Sequence, residues 1–172
     1  MRAVVVMTSV KGRAMRYEVN PAELKVSNGA GDVIVARVAG SCLAVTGHDP
    51  VAGVGGILNA MLPNSDVNSK AASSNPMIFI DRGFPLFISE LNAHGAIRSR
   101  LIIKIAGAAE TESGRNFFSV GSRNLIALRL MLRRFGLEIT AGDTGGYERR
   151  ELCLDIGSGS AWTVSSMGES HL

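Results

Sequence analysis

The sequence predicts an α+β fold: a single-domain layered sandwich in which mixed β-sheet packs with two main helices. Two segments, Asp81–His94 and Ser122–Phe135, repeat apolar side chains at helical spacing. Around them lie short apolar or alternating runs bounded by glycine, proline and aspartate, which read as strands. The 172 residues suit one domain with a core large enough to need no staples.

The elements follow in order. Asp32–Val38 is a valine-rich strand, and Cys42–His48 and Val54–Met61 are two more, joined through Asp49-Pro50-Val51-Ala52. Proline presets φ for a turn there. In the first helix Phe84, Phe87, Ile88 and Leu91 share a face, with Asp81 as its cap, Pro85 in its first turn and Gly95 as its stop. Leu101–Ala106 is a strand. The second helix aligns Leu125, Leu128, Met131, Leu132 and Phe135, and Gly136 ends it. Leu137–Ala141, Glu151–Ile156 and Ser160–Val164 are the remaining strands. The domain spans 1–172 with its core over about 17–164, a surface loop at 63–76 rich in Ser and Asn, and a frayed tail at 165–172.

Composition narrows the function. Hydrophobic residues at 46% and charged residues at 19% are those of an ordinary globular protein. The 18 Lys+Arg against 15 Asp+Glu leave a formal charge of +3. The arginines are scattered and no aromatic-interleaved basic stripe exists, so a nucleic-acid partner is not expected. Cys42 and Cys153 make no disulfide framework, which fits a reducing cytoplasm. The apolar run Ala3–Met7 is too short for a signal-peptide core, and no segment approaches the roughly 18 apolar residues of a spanning helix. A cytoplasmic protein without membrane insertion is expected. The 3 histidines pair with no cysteine at ligand spacing, so no metal site is expected.

Gly40-Ser41-Cys42 is the most suggestive spot for chemistry. Two small residues put backbone N–H groups beside a thiol at a strand start, which suits an oxyanion site next to a nucleophile. A small buried hydrophobe looks the same in sequence, and the residues alone leave both readings open. A hairpin centred between Pro50 and Val51 sets Cys42 directly opposite Asn59, with about 5 Å between β-carbons. Asparagine there donates or accepts a hydrogen bond but takes no proton at neutral pH. His48 shares the strand face of Cys42 at roughly 20 Å; surface positions are expected for His48, His94 and His171. Asp143-Thr144-Gly145-Gly146 is a turn signal, with a substrate-facing loop as its second reading. Gly121-Ser122-Arg123-Asn124 opens a helix, and Cys153 reads as buried and inert. A redox-sensing role for Cys42 lacks a resolving cysteine nearby.

These segments in this order resemble the CheD family. The family pattern is glycine-serine-cysteine, a short apolar strand and Asp-Pro, standing here as Gly40-Ser41-Cys42-Leu43-Ala44-Val45 and Asp49-Pro50. Two glycines, a histidine three positions on and Met-Leu-Pro follow in the family; here the stretch is Gly55-Gly56-Ile57-Leu58-Asn59-Ala60-Met61-Leu62-Pro63. Gly121-Ser122-Arg123-Asn124, Asp143-Thr144-Gly145-Gly146 and Arg150 complete the match, which runs from about Tyr17 to Val164.

The resemblance implies a cysteine-hydrolase fold and a chemotaxis function: hydrolysis of glutamine side chains in chemoreceptors to glutamate, with no cofactor. It implies chemoreceptor cytoplasmic helices, and a CheC-type phosphatase, as partners. Residue by residue, Cys42 takes the nucleophile's position, Asn59 stands where the family has histidine, and Ala36 where it has threonine. Gly40, Ser41, Thr144, Gly145 and Gly146 are the implied substrate-side residues. Ala108 stands where the family usually has a second glycine. With two of three catalytic positions replaced, a severely impaired deamidase is expected, and a catalytically silent binding module is the alternative.

Overall fold

The structure, a computed structural model, describes residues 13–110 and 119–172; the apolar run Ala3–Met7 lies outside them. Among the described residues ten strands form two five-stranded sheets. One sheet contains β1 (Arg16–Val19), β3 (Val33–Val38), β8 (Arg150–Asp155), β9 (Ala161–Ser165) and β10 (Gly168–His171), in that spatial order. The other runs β2 (Glu23–Ser27), β5 (Val54–Ala60), β4 (Leu43–Asp49), β6 (Ile102–Gly107) and β7 (Ile139–Thr144). Both are mixed: β1 runs parallel to β3 and β6 parallel to β7, and the other pairs are antiparallel. A short helix α1 (Ser69–Ser74) precedes the two main helices, α2 (Ile80–Ala93) and α3 (Val120–Phe135). The α+β layered sandwich stands as expected.

Two cores explain the sequence pattern. One lies between the β2–β7 sheet and the helices, where Leu43, Val45 and Leu58 meet Phe84, Phe87, Leu91, Leu128 and Leu132. The other lies between the two sheets and gathers Ile34, Ala36, Cys42, Ala44, Ile57, Ala106 and Leu152. Every residue of β4 and β5 is therefore buried. A strand covered on both faces is apolar throughout and does not alternate. That explains the continuous runs on either side of Asp49-Pro50.

Several expectations change. β1 and β2 were not foreseen: they are short, partly exposed and carry charged side chains, so their apolar signal is weak. The tail does not fray. Residues Gly168–His171 pair with Trp162–Ser165 after a turn in which Gly168 takes φ +113°, and the Leu172 N–H donates to the Ala161 carbonyl at 2.9 Å. The 63–76 segment contains a 3₁₀ turn at Ser65–Val67 and α1, which Asn68 caps through its side chain, and a second 3₁₀ turn, Pro76–Ile78, begins at its end. Phe79, not Asp81, occupies the cap of α2, and Pro85 lies in its second turn. The Asp81 carboxylate is instead taken by the Ser65 N–H at 3.0 Å and hydroxyl at 2.7 Å. Gly136 ends α3 in the left-handed region, as its sequence position suggests.

His48 is not a surface residue. It is 4% exposed, with Nε2 2.9 Å from the Ile156 carbonyl oxygen, because its strand is covered by the other sheet. His94 and His171 are exposed. Cys153 is buried and free, as expected, paired across β8 with Val35 and Trp162.

Candidate active site

Cys42 enters β4 from a tight turn. Its N–H donates to the Ala39 carbonyl at 3.0 Å, and Gly40 takes φ +52°, a conformation that glycine adopts without a β-carbon clash. The chain leaving β6 wraps this turn. Gly107 and Ala108 both take positive φ, at +112° and +51°. The Ala108 N–H then donates to the Cys42 carbonyl at 2.7 Å, and the Ala109 N–H to the Gly40 carbonyl at 3.1 Å. The conformation explains why a second glycine suits position 108, where this chain carries an alanine.

Two further segments close on the same turn. Asn124, buried in the first turns of α3, donates through Nδ2 to the Ser41 carbonyl at 2.8 Å and the Met61 carbonyl at 2.9 Å. It thus ties the entry of β4 to the exit of β5. The loop after β7 is fastened to the chain after β6: Gly145 N–H to the Gly107 carbonyl and Glu110 N–H to the Gly146 carbonyl, both at 2.8 Å. Arg150 holds that loop from β8, donating to the Asp143 carbonyl and carboxylate and to the Gly145 carbonyl at 2.6–2.7 Å. Thr163 donates to the other Asp143 oxygen at 2.7 Å. Gly40, Ser41, Cys42, Gly145 and Gly146 therefore belong to one hydrogen-bonded cluster, with Thr144 on β7 in register with Gly107. Sequence reading left Asn124 and Arg150 outside the site. Their place in the Gly121-Ser122-Arg123-Asn124 motif and just after Asp143-Thr144-Gly145-Gly146 was the available signal; their burial shows only in the fold.

The hairpin register corrects the expected Cys42–Asn59 pairing. Pairing starts at Leu43 with Ala60, and Asn59 lies opposite Ala44. The turn holds four residues: the Gly53 N–H donates to the Asp49 carbonyl at 2.9 Å, and the Asp49 carboxylate accepts from the Val51 and Ala52 N–H groups at 2.9 and 3.1 Å. This displaces the partner by two positions, which keeps the face. Cys42, one residue before the ladder begins, thus lies on the same face as Asn59 without standing opposite it.

Asn59 is fully buried. Its Nδ2 donates across the sandwich to the Arg37 carbonyl at 2.9 Å and the Val19 carbonyl at 3.4 Å, while Oδ1 meets no partner. Ala36, also fully buried, packs in the same intersheet cluster as Cys42. Neither side chain titrates. Cys42 is 6% exposed. Burial pushes its thiol above the ordinary value, and nearby backbone hydrogen bonds offset this only in part. His48, at the far end of β4 and engaged with Ile156, brings no base to it.

The described residues form a two-sheet α+β sandwich protein in which a cysteine in a glycine turn is enclosed by a helix start and a Gly-Gly loop. Comparison with known proteins places it more closely. Residues 61–165 match the family model "CheD chemotactic sensory transduction"; this stretch begins after Cys42 and Asn59. A probable chemoreceptor glutamine deamidase CheD 1 of Syntrophus aciditrophicus is 36% identical over 150 residues, 87% of this chain and 94% of that protein. Probable chemoreceptor glutamine deamidases CheD of Solibacter usitatus (35%, covering 90% and 91%) and Desulforamulus reducens (36%, covering 94% and 96%) are similarly related. A crystal structure of a Neisseria meningitidis protein of the DUF152 family aligns at TM-score 0.47 with 12% identity, over 77% of this chain and 62% of that one. The chain belongs to the CheD family. Among the described residues, no helix is long and apolar enough to cross a membrane.

Proposed function

We propose that this chain is a chemotaxis protein of the receptor-deamidase type whose turnover is severely impaired. In the working reaction a thiolate attacks the glutamine carboxamide carbon, and ammonia leaves carrying a proton from a general acid. Water then hydrolyses the thioester to glutamate and regenerates the thiol. The observation that carries the proposal is the state of the two partners of that reaction. Cys42 is buried with its pKa raised, and Asn59, at the position where the family has histidine, donates to the Arg37 carbonyl.

An unshifted thiol is only a few per cent thiolate at neutral pH, and burial reduces that fraction. Loss of general acid–base help costs about 10² to 10⁴ in rate, or roughly 3–5 kcal/mol. The Gly40–Cys42 turn, with its enclosing Ala108 and Asn124 contacts, supports a second reading. In it the scaffold keeps a binding role toward chemoreceptor cytoplasmic helices or a CheC-type phosphatase without chemistry.

The test is incubation with a glutamine-bearing chemoreceptor cytoplasmic fragment, followed by peptide mass spectrometry for the gain of about 1 Da per deamidation, with Cys42→Ala as control. No conversion with measurable binding supports the impaired scaffold. Conversion that vanishes in the control overturns it.

A further inference from the structure

We propose that the outer face of α3 is a docking surface for an acidic amphipathic helix of a partner protein. The helix buries Ala127, Leu128, Met131 and Leu132 in the core and leaves Ile126 and Leu130 exposed at 54% and 55%. Four positions apart, these two lie one above the other and form an apolar ridge. At about 100° per residue, Arg129 and Arg133 run along one side of the ridge, and Arg123 and Arg134 along the other. All four arginines are exposed. The sequence of α3 contains no Asp or Glu, and among the described residues none of the four guanidinium groups pairs with a carboxylate.

Helix stability accounts for only part of this pattern. Arg133 and Arg134 in the last turn complement the carbonyl end of the helix, whereas Arg123 sits in the first turn, where the dipole disfavours a cation. A merely solvated face interleaves both signs, because opposite charges three or four apart stabilise it. An apolar ridge between two cationic rails is instead complementary to a helix whose apolar stripe is bordered by Asp and Glu. A recess of about 440 Å³ at the C-terminal end, lined by Arg129, Arg133, Leu132, Leu137, Glu138 and Ile139, adds room for one anchoring side chain. An anionic lipid surface would share the charge. Helices that lie in a membrane surface bring a broad face of Trp, Phe and Leu, whereas here only Ile126 and Leu130 project among the arginines.

The experiment uses the full chain and a fluorescein-labelled helical peptide bearing a leucine stripe flanked by glutamates, read by anisotropy at low and high salt. A peptide of the same composition with the leucines scattered round the helix, and phosphatidylcholine vesicles containing phosphatidylserine, serve as comparators. The striped peptide is expected to bind. Ile126→Gln with Leu130→Gln, and separately Arg129→Glu with Arg133→Glu, should each weaken it roughly tenfold or more while leaving circular dichroism unchanged. Absence of binding, equal binding of the scattered peptide, or indifference to both double variants overturns the proposal. Vesicle binding without peptide binding also overturns it, in favour of a lipid surface. None of these readouts depends on whether Cys42 turns over.

Discussion

Asn59 donates its side-chain amide to the Arg37 carbonyl across the gap between the two sheets, at 2.9 Å. On the proposed reading Asn59 stands where the family has histidine, and here it serves as a strut inside the sandwich. Arg37 stands next to Ala36 on β3, so Asn59 and Ala36 meet in one buried region. A change at either residue therefore has packing as well as chemical consequences.

Restoring both residues tests the chemistry. Asn59→His with Ala36→Thr is expected to introduce receptor deamidation that Cys42→Ala abolishes, with a gain on the order of 10²–10⁴ over the parent chain. Both sites are fully buried, so added atoms should cost about 1–3 kcal/mol. A folded double variant without activity, followed by mass spectrometry, would place the defect in the loop around Ala108 or in receptor docking.

The thiols carry an alkaline signature. Burial raises the Cys42 pKa, and burial with the neighbouring Glu151 charge pushes Cys153 up to about 11 from 9.0. A folded-state pKa above the unfolded value means that this stabilisation is complete below pH 9 and is lost as pH rises toward 11. Denaturant midpoints should fall across that window, less steeply in Cys153→Ala. Alkylation of Cys42 by iodoacetamide at pH 7 should be slow beside a free model thiol.

Asp49 shows the opposite sign. Burial alone would raise its pKa, but Arg100, at 2.7 Å, and the N–H groups of Ile97, Ala52 and Val51 hold the carboxyl far below the usual range. Its contribution is present above the unfolded value of 3.8 and is lost as pH falls below that. Asp49→Asn should cost about 1.5–3 kcal/mol at pH 7, the range for losing hydrogen bonds to a charged group, because the Arg100 side chain left unpaired is one-third exposed. Urea melts at pH 7 and pH 3 should show the difference between variant and parent shrinking in acid.

Gly121 couples α3 to the Cys42 turn. A β-carbon there would stand 2.6 Å from the Ala108 carbonyl oxygen, and Ala108 in turn holds the Cys42 carbonyl. Gly121→Ala should lower stability by about 1–3 kcal/mol, whereas Gly53→Ala, whose β-carbon meets nothing within 4 Å, should cost only the strain of its left-handed φ of +63°, about 1 kcal/mol. Thermal melts compare them directly.

Local spacing determined a good deal by itself. The stripes of α2 and α3, the Gly136 stop and the apolar runs of β3 to β6 were legible because their periods express burial directly. Alternation also put Cys42 and Asn59 on one face, and a register change of two left that intact. The ordered glycine, Asp-Pro and Asp-Thr-Gly-Gly motifs carried the family resemblance. Only the tertiary structure decided the rest. The four-residue turn set Asn59 against Ala44, the covering sheet buried His48, and β10 folded back over β9. Asn124 and Arg150 reached the Cys42 cluster from a helix and a strand far along the chain. The physical reason is that burial periodicity is a property of one segment. Register, enclosure and a side chain's hydrogen-bond partner depend on which other segment arrives beside it.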